Sequence, residues 1–337
     1  MDIKVNGSRL KNLLSYDWIK IVCFIIAGIV VWSLLFTTLG TRVTVGEEFV
    51  FHVYENVSTQ GSTPKNQTLL NDMKKKGYFS YDVLETVVNE IRGSGQYSAS
   101  YLLSLRMTTQ EGDVMLISDG RADAVTEDKD PTLEIKNLIN GPYLYNIASF
   151  IDSARDYCVG RNSFIVFNED GSWQVDELAV KSYFLNVRLK SAGNYRKTFR
   201  TEAQKAEGVR LEIARVKAIY ENYLFVSKAI EQAKQAGNDF VWYGEVYTYD
   251  AKGNIIEDKT QVLPYGIDLY KLNAPFVEEG KPKIEDTWYT YASGKTTAEG
   301  LVLCVFNFES YQRDLQYEAL AFIRYIIETY SGYGYES

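Results

Sequence analysis

The sequence predicts an α/β protein in which one N-terminal transmembrane helix is followed by an extracytoplasmic lobe carrying a mainly helical insertion. Three observations predict it. Ile21 to Thr41 contains no charged residue. Strand-like runs at about 48–54, 113–118 and 301–307 are interleaved with helix-length segments, the order expected of a parallel sheet. The stretch between them, about 123–261, is dominated by hairpin and long-helix signals.

The uncharged run of roughly 21 residues is long enough, at about 1.5 Å per residue, for a hydrocarbon core of roughly 30 Å. Lys4, Arg9, Lys11 and Lys20 precede it against Asp2 and Asp17, whereas Arg42 follows it against Glu47, Glu48 and Glu55. That asymmetry predicts a cytoplasmic N-terminus and an extracytoplasmic C-terminal region, in a single-pass cell-membrane protein. A signal peptide cut at Thr38-Leu39-Gly40 is the rival reading, but its apolar region would be longer than the usual 7–15 residues. Cys23 lacks the small neighbours and the preceding apolar run of a lipoprotein site.

Of 36 basic and 44 acidic residues, 32 and 42 lie beyond the first twenty positions, a net of −10. Such a surface repels nucleic acid. Beyond Cys23, Cys158 and Cys304 could pair in an oxidising compartment or remain two buried thiols. Asn56-Val57-Ser58 and Asn66-Gln67-Thr68 fit the glycosylation pattern, which matters only in a eukaryotic secretory pathway.

Element by element, "EFVFHVY" alternates as a strand, and a helix is expected over about 65–76. The β-branched content of "FSYDVLETVVNEI" favours a strand over a helix. A helix over about 99–110 and a buried strand at 113–118 end in Asp119-Gly120. Residues 123–132 form a loop, and the next helix breaks near Gly141-Pro142. "SFIVFNEDGSWQV" and the runs 241–249 and 254–262 around "DAKG" are hairpins. Long helices follow over 175–192 and 201–236, the second opened by a Thr201/Gln204 capping box, with Ile213, Val216, Tyr220, Tyr223 and Ile230 as a core-facing stripe. "LPYGIDLYKLNAPF" is expected to be irregular, turned by Pro264 and Gly266. "GLVLCVFNF" is a strand buried on both faces, and "QYEALAFIRYIIETY" a terminal helix.

Few motifs carry chemistry. His52 is the only histidine, so a histidine-rich metal site is excluded, and in a strand it reads as a satisfied sheet residue. "SGKTT" at 293–297 lacks the leading glycine of a phosphate loop, with Tyr289 in its place, and reads as a turn. "TEDKDP" crowds Glu127, Asp128 and Asp130 but lacks the glycine and closing glutamate of a calcium loop. Glu169, Asp170 and Asp250 could serve as glycosidase acids, yet two of them sit at hairpin turns where aspartate is common. No nucleophile, base or metal cluster converges, so no enzyme, metal or cofactor is expected. The 26 tyrosines suit sugar faces and protein interfaces alike.

"EFVFHVYENV", "LLSLRMTTQEGDVMLISDG", "LPYGIDLYKL" and "GLVLCVFNFESYQRDLQYEALAFIRYII" resemble, in two blocks at about 46–120 and 262–331, the maltose-binding type of extracellular solute-binding proteins that serve ABC importers. The resemblance implies a solute-binding-like α/β lobe over 42–122 and 262–331, after a cytoplasmic segment 1–20 and the transmembrane helix 21–41, with the helical and hairpin insertion at 123–261 and a tail at 332–337. It implies a reduced relative that presents a sugar or other small solute to an ABC importer permease. The alternative is a non-catalytic accessory protein of a transporter or envelope complex that has lost ligand binding. Ligands of open α/β sheets lie beyond the carboxyl ends of the strands. That rule points to Tyr54, Glu55 and Asn56 after the first strand and to Ser118, Asp119 and Gly120 after the "GDVMLIS" strand. Tyr54 would stack on a sugar, Asp119 and Asn56 would bond hydroxyls, and Gly120 would admit the backbone.

Overall fold

The computed structural model describes residues 18–39, 43, 47–59, 63–124, 130–141, 143–191, 193–250, 255–307 and 317–334. The chain divides into two compact units, Met1–Val43 and Thr44–Ser337. In the first, Trp18–Leu39 forms α1, whose described side chains are exposed. The expected transmembrane helix is overturned here: among the described residues, no helix is long and apolar enough to cross a membrane. The single-pass cell-membrane localisation with a cytoplasmic N-terminus rested on that span and is corrected with it. Residues 1–17, 251–254 and 335–337, Gly40, Glu127, Asp128 and Pro142 lie outside the described residues.

The second unit is built on a six-stranded mixed sheet of order β3-β1-β4-β10-β8-β7. Its strands are β1 (Glu48–Tyr54), β3 (Glu85–Ile91), β4 (Val114–Ser118), β7 (Val241–Tyr249), β8 (Ile255–Asp268) and β10 (Leu301–Val305). β2 (Val57–Thr59) pairs with β9 (Trp288–Thr290), and β5 (Ile165–Phe167) with β6 (Trp173–Val175). β1 is parallel to β3 and β4, as expected; β10 returns antiparallel to β4, and β8 and β7 continue antiparallel. The runs 48–54, 113–118 and 301–307 thus share one sheet, although nearly two hundred residues separate the last two.

Residues 263–268 are strand, not the expected irregular turn. Pro264 sits where the β7–β8 register shifts, between Trp242↔Gly266 and Tyr243↔Pro264, and a bulge is where a strand tolerates proline. At Gly266 a Cβ would fall 2.6 Å from Val302 and 2.7 Å from the Leu303 carbonyl oxygen. The glycine permits close approach of β10 and turns nothing.

Period-two alternation gives the sheet two buried faces. Phe49, Phe51, Val53, Leu116 and Leu303 face one core, closed by α2 (Thr63–Lys75), α5 (Ile147–Arg155), α7 (Glu202–Gln235) and α8 (Glu318–Tyr330). Tyr54, Met115, Ile117, Val302 and Cys304 face the other, closed by α3 (Ala99–Thr109) and α4 (Leu133–Asn140). Cys158 lies in the first core and Cys304 in the second; both thiols are free, and burial pushes each up to about 12. α7 carries the expected capping box: the Thr201 hydroxyl accepts from the Gln204 N–H, and the Gln204 side chain accepts from the Thr201 N–H. Before it come α6 (Glu177–Tyr183) and two π-helical turns, Asp156–Arg161 and Phe184–Arg188.

Candidate functional site

The carboxyl ends of β1 and β4 meet α4, and the six residues singled out there have distinct roles. The Tyr54 hydroxyl donates to Glu134, and its ring is fully buried, so no stacking face is open to a sugar. Burial, then the Glu134 carboxylate, holds the phenol above its ordinary range. Glu55 is exposed and accepts from the Gly93 N–H at 3.0 Å. Asn56 extends the ladder past the end of β1: its side-chain oxygen accepts from the Ser118 N–H at 3.0 Å, and its amide donates to the Ser118 carbonyl at 3.3 Å. The Ser118 hydroxyl accepts from the Gly120 N–H at 3.1 Å. At Gly120, φ is +70° and a Cβ would lie 2.1 Å from the Pro131 carbonyl oxygen. Its bareness admits the segment leading into α4. Three of the six, Asn56, Ser118 and Gly120, are therefore committed to the turn geometry.

Asp119 differs. It is 3 % exposed and sits at the floor of a cleft of about 240 Å³ between α4 and β7, whose wall also includes Arg121, Thr132, Lys136, Trp242 and Glu245. One carboxylate oxygen, Oδ1, accepts from the Arg121 backbone N–H at 2.9 Å. The other, Oδ2, accepts from Trp242 Nε1 at 2.8 Å and from Arg121 Nε at 2.7 Å. The Arg121 guanidinium lies 5.2 Å from the centre of the Trp242 ring. Gly300, at φ +77°, closes the floor: its carbonyl accepts from the Asp119 N–H at 2.8 Å, and a Cβ there would lie 2.6 Å from Oδ1. Nearby, burial and the charge of Asp119 raise the Asp268 carboxyl above its ordinary value, against its bond from the Lys271 N–H. A second cleft of about 160 Å³ lies between α3 and α4, with Tyr54, Ser104, Glu134 and Tyr143 in its wall.

The rule about strand ends thus finds Asp119 but misses Arg121 and Trp242. Arg121 was within reach, two positions from Asp119. Trp242 carries no such signal, because only the pairing of β7 through β8 to β10 brings it across 123 residues of chain.

A different cluster of charge is sealed. Arg188 bonds Asp82 and lies 3.5 Å from Glu212; Arg215 lies 3.0 Å from Asp82 and 3.1 Å from Glu212. The Tyr81 hydroxyl donates to Glu212 at 2.7 Å, the Tyr195 hydroxyl donates to Asp82, and Arg215 donates to the Tyr157 hydroxyl at 3.2 Å. All four charged side chains are buried, so no solute reaches them. π-Helical turns place Tyr157 and Arg188 there, and here that geometry serves packing.

The remaining motifs resolve as local structure. Asp170 accepts from the Ser172 N–H and hydroxyl, as a turn residue, and Ser293 and Gly294 have φ of 48° and 77° in the "SGKTT" turn. His52 Nε2 lies 3.0 Å from the Glu111 carbonyl oxygen, and burial pushes the imidazole down to about 4. Among the described residues, no group of three or more His, Cys, Asp or Glu could hold a metal ion. No family model matches the chain, and no curated protein or solved structure matches it.

Proposed function

We propose that this chain binds a small polar solute in the cleft between α4 and β7. The observation that carries the reading is the buried Asp119 carboxylate at the floor of an open cleft of about 240 Å³, fixed by Trp242 and flanked by the partly exposed Arg121. That volume is below the roughly 300 Å³ at which sites for drug-sized ligands begin, which favours a solute of a few non-hydrogen atoms. In support of a reduced relative of the maltose-binding type, β1, β4 and β10 share a sheet in which β10 returns antiparallel beside β4. Transfer of the solute to an ABC importer permease belongs to the same proposal. A sugar is less favoured than the sequence suggested, since Tyr54 and Asn56 are engaged elsewhere.

Thermal-shift screening of the full chain against sugars, amino acids, amines and inorganic anions tests this. A solute at about 100 times its Kd adds roughly 2.7 kcal/mol of stability, a shift of several degrees. Asp119→Ala should remove the shift while leaving the far-ultraviolet circular dichroism unchanged. If no solute shifts the unsubstituted chain, the reading fails and the accessory-protein alternative replaces it.

A further inference from the structure

We propose that the solute of the Asp119 cleft is a cation carrying a guanidinium or primary ammonium group, and that Arg121 occupies its place in the free protein. The inference rests on the solute-binding reading above and adds the chemistry. A carboxylate beside an aromatic face is the pairing that recognises organic cations, since both attract positive charge and the carboxylate fixes its direction. Asp119 and Trp242 make that pair, and both are buried. Trp242 is held in β7 opposite Gly266.

The cation now filling the pair lies mostly in solvent. Arg121 is 57 % exposed, bonds Asp119 Oδ2 through Nε at 2.7 Å and covers the indole at 5.2 Å. Its backbone N–H holds Oδ1 independently, so the turn survives if the guanidinium swings into solvent. The other basic groups near the cleft face carboxylates of their own: Lys136 lies 3.7 Å from Asp130, and Lys271 lies 3.8 Å from Asp268. An anionic solute would have to draw Arg121 away from Asp119 and leave a buried carboxylate without its counter-ion. A cationic solute replaces one counter-ion with another.

Calorimetric titration of the full chain with methylguanidinium, agmatine, glucose and inorganic phosphate decides the matter, using the unsubstituted chain, Arg121→Ala and Asp119→Asn. Arg121→Ala should tighten agmatine binding about tenfold, the gain expected when a competing self-ligand present nine-tenths of the time is removed. Asp119→Asn should abolish binding. Near-ultraviolet circular dichroism verifies that each variant is folded. Binding of glucose or phosphate with the cations inert, or weaker agmatine binding in Arg121→Ala, overturns the cation inference and leaves the solute reading standing. If no probe binds any folded form, both fall.

Discussion

The Asp82–Arg188–Glu212–Arg215 cluster and the Asp119–Arg121 pair use the same chemical groups in opposite ways. In the first, both guanidiniums are at most 5 % exposed and each meets two carboxylates. In the second, the carboxylate is buried but the guanidinium is 57 % exposed. Removing a charge from water costs several kcal/mol per ion, so the sealed cluster exists only because every member is paired. In the open pair the arginine can be exchanged for another cation without opening the fold, because Asp119 keeps its bonds from Trp242 Nε1 and from the Arg121 backbone N–H. An acid–arginine pair therefore becomes a candidate site by leaving one partner free to exchange with solvent.

The largest expected difference follows from removing one arginine from each. Arg215→Ala leaves two buried carboxylates, Asp82 and Glu212, to share Arg188 and should cost about 3–5 kcal/mol in urea unfolding. Arg121→Ala should cost less, about 1–2 kcal/mol, because the Asp119 carboxylate keeps its bonds from Trp242 Nε1 and the backbone N–H and the lost guanidinium is mostly solvated. Equal losses for the two would erase the distinction between a sealed cluster and an open site.

Asp113 sharpens the comparison, because its charged neighbours are carboxylates. It is partly buried, accepts from the Val50 N–H at 2.7 Å and has Glu318 and Glu48 nearby. Burial, with those two charges, pushes its carboxyl up to about 7 from an ordinary value of 3.8. A folded-state value above the unfolded one means that the folded chain binds the extra proton. Its contribution is complete below about pH 4 and is lost as pH rises through about 7, amounting to a few kcal/mol at most. Asp113→Asn keeps an acceptor for Val50, so its stability relative to the unsubstituted chain should improve between pH 5 and pH 8. A pH-independent difference would show that Asp113 does not titrate in that window.

The same contrast explains what the sequence could disclose. β1, β3, β4, both hairpins and the Thr201/Gln204 box follow from alternation and caps that act within a few residues. Val216 and Tyr220 of the α7 stripe are buried, as their spacing predicts. Glu212 and Arg215, three apart on the same helix, have the spacing of an ordinary solvated ion pair. Only Asp82 and Arg188, brought by distant segments, convert them into interior residues. Pro264 and Gly266 carry turn chemistry, yet their positions opposite Tyr243 and Trp242 make them a bulge and a close approach. Asp119 was legible because a strand end is a local feature, whereas its partner Trp242 depends on three strand pairings.

The smallest effect tests whether Arg121 truly rests on the indole. Trp242→Phe removes the N–H that reaches Asp119 Oδ2 at 2.8 Å but leaves both bonds from Arg121. A flat apolar ring remains under the guanidinium, with a weaker attraction for it. Combining Trp242→Phe with Arg121→Ala in a double-mutant cycle isolates their interaction from the loss of indole volume, which enters both arms equally. The coupling should be about 0.5 kcal/mol or less, because phenylalanine keeps part of the roughly 0.5–1 kcal/mol attraction of a cation–π contact at a solvated site. No measurable coupling would mean that Arg121 spends its time away from the ring. The cleft would then stand open in the free chain, and removing the arginine would no longer tighten a cationic solute.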